Sequence, residues 1–218
     1  MDLYDAMSTQ RAVRRLRPDP VPDDVLARVL RAATWAPTGA NQQPWRIVVV
    51  TDPAVKQGLA DLYRPEWERF AGVYAAQIEA APESARAAME RTRAAGDHLA
   101  ATLQHAPVLV VFCFDPRQMA ITDRKLERIS VVGGASVYPA VQNLLLACVA
   151  EGLGCVLTTL HCLREPEVAQ LLGVPEGWGT AALVPVGYPE RGGHGPTTRR
   201  PVAELTYRDR FGQPFAAG

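Results

Sequence analysis

The sequence predicts a layered domain in which helices pack on a β-sheet, either α/β or α+β. Two patterns and one quantity predict it. Four short runs rich in β-branched or apolar residues read as strands, at 46–50, 107–114, 155–160 and 181–188. The stretches between them are long and carry apolar residues at helical spacing, so helices separate the strands. The chain has 218 residues, 48% hydrophobic and 21% charged, which is enough to bury a sizeable core. No internal repeat or interdomain linker is visible, and one domain over 1–218 is expected, with a helical excursion at about 63–105.

The elements follow in chain order. Residues 2–9 read as a short helix, and Arg11 to Arg17 form a basic stretch that ends at Pro18. Asp19-Pro20-Val21-Pro22 is a turn, and Asp23 is placed to cap the next helix. Val25, Leu26, Val29, Leu30 and Ala33 recur at helical spacing, giving an amphipathic helix over 23–36 that Pro37 ends. Arg46–Val50 is a buried strand, and Pro53 opens another helix. The Ala/Arg/Glu-rich region 63–105 reads as two or three lightly anchored helices with breaks at Pro65 and Pro82. Pro107–Phe114 is a second strand, and the polar, mixed-charge stretch 117–128 is a solvated loop. Tyr138–Glu151 is apolar around more than half its circumference and belongs at the centre of the molecule. Gly152 and Gly154 stop it. A third strand over Cys155–Leu160, a short helix over Pro166–Leu172 and a fourth strand over Ala181–Tyr188 follow. Pro189 to Arg200 is an irregular, basic surface segment.

Composition narrows the partners. Lys+Arg and Asp+Glu are both 23, so long-range attraction to nucleic acid or an anionic membrane is not expected. Met1–Gln10 carries Asp2 and Asp5 and does not resemble a secretory signal, and no run approaches the roughly 18 apolar residues of a membrane span. A cytoplasmic location is expected. Cys113, Cys148, Cys155 and Cys162 form no CxxC pair and read as buried free thiols in a reducing compartment. No Cys/His spacing suits zinc, so no metal is expected.

Chemistry concentrates in two places. Arg11, Arg14, Arg15 and Arg17 crowd one segment, and Arg199 and Arg200 crowd the tail. Each cluster is either solvated surface or a phosphate grip, because the guanidinium fork matches phosphate oxygens. There is no Walker A motif and no GxGxxG after a strand, so side chains rather than a glycine cradle would hold any phosphate. The second place is Pro37-Thr38-Gly39-Ala40-Asn41-Gln42-Gln43-Pro44-Trp45. A plain turn does not need three carboxamides before Pro-Trp. Each carboxamide offers a donor and an acceptor, which suits the edge of a heterocyclic ring. No GxSxG elbow is present, and His98, His105, His161 and His194 are scattered. His161 follows the third strand, where it either faces a site or is structural.

Together these segments resemble the nitroreductase superfamily of FMN enzymes. Gln10-Arg11-Ala12-Val13-Arg14-Arg15-Leu16 is similar to the family's N-terminal R-R-S-V-R-x-F. Trp35 to Trp45 is similar to its W-A-P-S-G-x-N-x-Q-P-W. Tyr138 to Ala147 and Gly152-Leu153-Gly154-Cys155 resemble its central helix and following turn, and Thr198-Arg199-Arg200-Pro201 resembles its R-x-P ending. The order and spacing cover nearly the whole chain.

The resemblance implies an α+β fold, a mixed sheet sandwiched by helices, in an obligate homodimer with two FMN sites at the interface. By position, Arg11, Arg14 and Arg199 would hold the FMN phosphate, with backbone help from Ala12. Pro37, Thr38, Asn41 and Gln43 would flank the flavin ring and ribityl chain. Thr159, Leu160 and His161 fall where the family places backbone contacts near N1 and N5. Gln10, Ala12, Leu16, Thr197 and His161 depart from the family pattern, and the departures shift phosphate contacts toward Arg15 or Arg200. The helices of 63–105 would cover the substrate face. There Tyr63, Trp67, Phe70 and Tyr74 either stack on a planar substrate or form the lid's own core.

The implied activity is hydride transfer from NAD(P)H through flavin N5 to a nitroaromatic or quinone, with no dedicated catalytic side chain. Alternatives on the same fold are dehalogenation, flavin fragmentation or ring dehydrogenation. A further alternative is an FMN-binding protein that sequesters its ligand without turnover.

Overall fold

The computed structural model describes residues 1–215. Its helices are α1 (Leu3–Thr9), α2 (Asp23–Thr34), α3 (Pro53–Ala80), α4 (Glu83–Thr102), α5 (Tyr138–Ala150), α6 (Glu165–Leu172) and α7 (Val202–Leu205). The strands are β1 (Trp45–Val50), β2 (Val108–Phe114), β3 (Gly154–Cys155) and β4 (Gly179–Gly187). They form one sheet in the order β1-β2-β4-β3.

Every pairing in this sheet is antiparallel, which corrects the expectation of a mixed sheet. The connection between β1 and β2 explains the first pairing. It holds two long helices, α3 and α4, rather than one. A single crossover helix returns the chain parallel, whereas a helix pair returns it antiparallel.

β2 and β4 occupy the middle and are buried along almost their whole length. Their side chains alternate between two cores. Val108, Val110, Phe112, Val184 and Val186 join Leu26, Val29, Leu144 and Cys148 beneath α2 and α5. Leu109, Val111, Cys113 and Leu183 join Leu59, Tyr63, Leu99, Leu103 and Val168 beneath α3, α4 and α6. Helices therefore cover both faces of the sheet.

α3 runs unbroken through Pro65, which was expected to break it. An interior proline costs a helix about 3 kcal/mol, but the helix stays in place because Leu59, Ala60 and Tyr63 are buried in the turns just before Pro65 and Glu66 just after. Pro82 does separate two helices, so the region 63–105 holds two. At the start of α2, Asp23 is the first helical residue rather than the cap, and Pro22 precedes it without a side-chain capping bond. Asp23 and Asp24 still suit the positive end of the helix dipole. α5 ends on Gly152, whose φ of +72° is the left-handed stop that glycine favours.

The third strand is shorter than expected. Gly154 and Cys155 pair with Gly187 and Val186, and the same register returns at Thr158, which exchanges two hydrogen bonds with Leu183. The gap falls opposite Pro185, which has no N–H to give to Val156. The chain thus leaves the sheet at 156–157 and touches it again at 158.

Cys113, Cys148 and Cys155 are buried free thiols, but Cys162 is exposed. The loop at 117–128 is also less solvated than expected. Asp123 is buried and accepts hydrogen bonds from Ser130 Oγ at 2.7 Å, Arg128 Nη1 at 2.8 Å and the Val131 amide at 3.2 Å. Among the described residues no helix is long and apolar enough to cross a membrane.

Candidate functional site

The basic segment 10–17 is pinned as extended chain between the sheet and the tail. The Val13 amide donates to the Cys155 carbonyl at 2.9 Å, and the Arg17 amide to the Tyr188 carbonyl at 2.7 Å. Glu190 N donates to Arg15 O at 3.1 Å, tying the tail alongside. Glycine makes this approach possible: a Cβ at Gly154 would lie 2.6 Å from Val13 Cγ1. Val13 is buried, Arg14 is half-buried, and Arg11, Arg15 and Arg17 are exposed. Arg11 is held by its Nε, which donates to Gly193 O at 3.0 Å, and by its amide, which donates to His194 Nδ1 at 3.4 Å. An Nε2–H tautomer of His194 satisfies that contact together with the 2.8 Å bond to Leu153 O.

Two adjoining clefts meet at Arg14. The first, of about 420 Å³, is walled by Arg11, Ala12, Val13, Arg14 and Arg15 on one side and by Ala88, Arg91, Thr92 and Ala95 of α4 on the other, with Arg191 and Gly193 at its edge. None of its five arginines is paired with a carboxylate among the described residues. The second, of about 350 Å³, is lined by Arg14, Tyr63, Trp67, Phe70, Gly96, Leu99 and the segment 156–160. Among the described residues no Asp or Glu lines either cleft. Arg14 is half-buried between them, and burial lowers its pKa, partly offset by the nearby Tyr63. The guanidinium remains charged. A third cleft of about 500 Å³ lies beyond Arg14, but its Lys56 ammonium already donates to the carbonyls of Ala106 and Pro107.

The expected site residues therefore separate into groups. Arg11, Ala12, Arg14 and Arg15 converge on the first cleft, and Thr159 and Leu160 line the second. Tyr63 is 2% exposed, with its hydroxyl 3.2 Å from Thr158 Oγ1 and its ring within the core, so it is a wall rather than a stacking platform. Trp67 packs against Gly96 and donates from Nε1 to Asp97 at 2.8 Å. Phe70 lies 5.6 Å from Trp67 and stacks at 6.0 Å on Tyr74, which does not reach the cleft. His161 is 2% exposed and lines neither cleft. Burial drops its pKa to about 4 against a smaller raising effect of Glu165, so it is neutral, and its Nδ1 has no partner among the described residues.

Arg199 lies with Tyr4, Met7 and Thr197 in a separate groove beside α1, away from Arg11 and Arg14, and Arg200 lines none of these clefts. Arg191 of the tail and Arg91 and Thr92 of α4 line the first cleft. Sequence reasoning missed these three. The available signal was Ala88, Arg91, Thr92 and Ala95 on one face of a helix, with small residues flanking a cation.

The carboxamide turn stands apart from both clefts. Ala40, Asn41 and Gln43 have φ of 50°, 55° and 48°, three left-handed non-glycine residues within four positions. Such strain collects where a surrounding structure or function demands it. Thr38 Oγ1 accepts from the Gln43 amide at 3.0 Å, Asn41 Oδ1 accepts from the Gln43 side chain at 3.2 Å, and the Gly39 amide donates to Ser136 Oγ at 3.2 Å. Asn41, Gln42 and Gln43 are exposed, and Pro37–Gln43 lines neither arginine cleft.

A sheet wrapped by helices, with an arginine cleft opening into an apolar one, defines the class. The chain belongs to the Nitroreductase family, whose family model matches residues 7–188. It is 32% identical over 214 residues to an NADH dehydrogenase of Thermus thermophilus, covering 94% of this chain and 95% of that one. It is 31% identical over 200 residues to Iodotyrosine deiodinase 1 of Rattus norvegicus, covering 91% of this chain but spanning only 66% of that relative's length. Among solved structures, an oxidized iodotyrosine deiodinase bound to FMN and 3-iodo-L-tyrosine superposes with a TM-score of 0.68 at 26% identity, covering 96% of this chain and 99% of that one.

Proposed function

We propose that this protein is an FMN-dependent oxidoreductase that passes a hydride from NAD(P)H to a flat, electron-poor acceptor such as a nitroaromatic or a quinone. The observation that carries the proposal is the pair of clefts joined at Arg14. Unpaired arginines suit a phosphate, and an aliphatic and aromatic slot free of carboxylates suits an isoalloxazine ring, so the residues present fit FMN. Arg11, Arg14, Arg15 and the Ala12 backbone would hold the phosphate end. Trp67, Phe70 and the 157–160 segment would bound the ring. FMN supplies the two-electron chemistry when bound. The chain supplies position and field: Arg14 sets a positive charge beside the slot, where it favours developing negative charge. The apolar walls exclude water. Neutral His161 adds no charge of its own.

The segregation of Pro37, Thr38, Asn41 and Gln43 from the arginines supports a homodimer, in which a second copy brings this turn to the slot. Exposed Leu3, Tyr4 and Met7 on α1, and Tyr207 and Phe211 in the tail, offer apolar surface for that contact. Under this reading Arg199 and Arg200 serve the assembled site or none. Residues 1–218 act as one unit in which α3 and α4 form the excursion over the clefts.

The test is the visible spectrum of purified protein incubated with FMN, desalted, then given NADH or NADPH. Retained flavin absorbance that bleaches with the nucleotide is expected, whereas a colourless protein overturns the reading. The likeness to iodotyrosine deiodinase favours one second reading, reductive dehalogenation on the same bound flavin. NAD(P)H oxidation stimulated by nitrofurazone or menadione supports the first reading. Halide release from a halogenated phenol, without such stimulation, supports the second.

A further inference from the structure

The helical excursion faces two ways, and its α4 half faces the arginines. Ala88, Arg91, Thr92 and Ala95 share one face of α4 and form the wall opposite Arg11, Arg14 and Arg15. The C-terminal half of α4 is fixed, with Gly96, Leu99 and Ala100 buried and Trp67 packed on Gly96. Residues 83–95 have no buried side chain. Half-buried Ala85, Met89 and Ala95 give them only light apolar packing over the cleft. Arg91 lines a cleft with four other arginines, none of them neutralised by a carboxylate among the described residues. Without an anion these cations repel one another, and a phosphate between the two walls would turn that repulsion into attraction on both sides. Arg191 can close the same ring from the tail.

We propose that α4 is a phosphate clamp: Arg91 and Thr92, with Arg191, grip the phosphate of the flavin mononucleotide from the side opposite Arg11 and Arg14, and so order residues 83–95 over the cofactor. This rests on the FMN reading above. It gives the excursion a role in holding the cofactor, beside that of covering the substrate.

Dissociation constants for FMN and for riboflavin, which lacks the phosphate, are measured by flavin fluorescence quenching on the wild type, Arg91→Ala, Arg191→Ala and the control Arg93→Ala. Arg93 sits on the same helix near Asp97 and lines neither cleft. Loss of one charge-assisted contact predicts FMN binding about tenfold weaker in Arg91→Ala and in Arg191→Ala. Riboflavin binding should be unchanged, and Arg93→Ala should behave as wild type. Amide hydrogen exchange is followed in parallel. FMN should slow exchange across 83–95 in the wild type, riboflavin should not, and Arg91→Ala should lose the effect. An Arg91→Ala protein that keeps the wild-type preference for FMN over riboflavin, or FMN that leaves 83–95 unprotected, overturns the clamp alone. A wild type that binds neither flavin overturns the cofactor reading and the clamp with it.

Discussion

At position 161 a histidine lies 2% exposed with Nδ1 unpartnered among the described residues, and burial lowers its pKa from 6.5 to about 4. Because the folded value is depressed, the unfolded chain takes up a proton first as the pH falls. The stability that the neutral ring confers is complete above about pH 6.5 and is lost as the pH drops toward 4. The shift corresponds to at most about 3–4 kcal/mol. Urea midpoints measured from pH 7 to pH 4 should therefore fall less steeply in His161→Gln than in the wild type, and parallel curves would contradict this. A position just past a strand does not reveal such burial. The sequence left His161 either facing a site or structural, and only the fold distinguishes the two. Arg11, Arg14 and Arg15 were easier to read, because they crowd one short segment and their proximity needs no knowledge of the fold. Arg91 and Arg191 were not readable as partners, since nearly a hundred residues separate them and only the fold of α4 over the tail brings them to one cleft.

At the scale of elements, the α3–α4 pair depends on Trp67 lying against a residue without a side chain. A Cβ at Gly96 would overlap the Trp67 ring. Overpacking of this kind costs about 1–3 kcal/mol, while the helix-propensity gain of Gly→Ala is only about 1 kcal/mol, so overpacking wins. Gly96→Ala should lower the urea midpoint and weaken FMN binding together, because the same helix walls both clefts. A variant with wild-type stability would show that the two helices are free to separate. Most elements were visible as periodicity: β1, β2, β4, α2 and α5 fall within a residue or two of the expected bounds. The exceptions have local physical causes that periodicity does not carry. The length of β3 depends on which residue of β4 lies opposite it, and Pro185 matters only once that register is known. Pro65 reads as a break in isolation and is overridden by the burial of Leu59, Ala60 and Tyr63.

At the scale of the whole molecule, the described chain carries the two halves of its proposed site on separate surfaces, the arginines and apolar slot on one and the strained carboxamide turn on another. Sedimentation should therefore give the mass of two 23.7 kDa chains at micromolar concentration, and a single-chain mass would remove the role proposed for Thr38 and Asn41. The composition of the turn was visible in the sequence, but its separation from the arginines was not, because the distance between two segments depends on the fold and not on local residue pattern. Under the proposed function the clefts meeting at Arg14 hold a redox-active flavin. The most direct test is the visible spectrum of the FMN-incubated, desalted protein before and after addition of NADPH or NADH. A flavin band that stays with the protein and bleaches when the nucleotide is added is expected. A protein that emerges colourless, or one whose bound flavin neither nucleotide reduces, would contradict the proposed function.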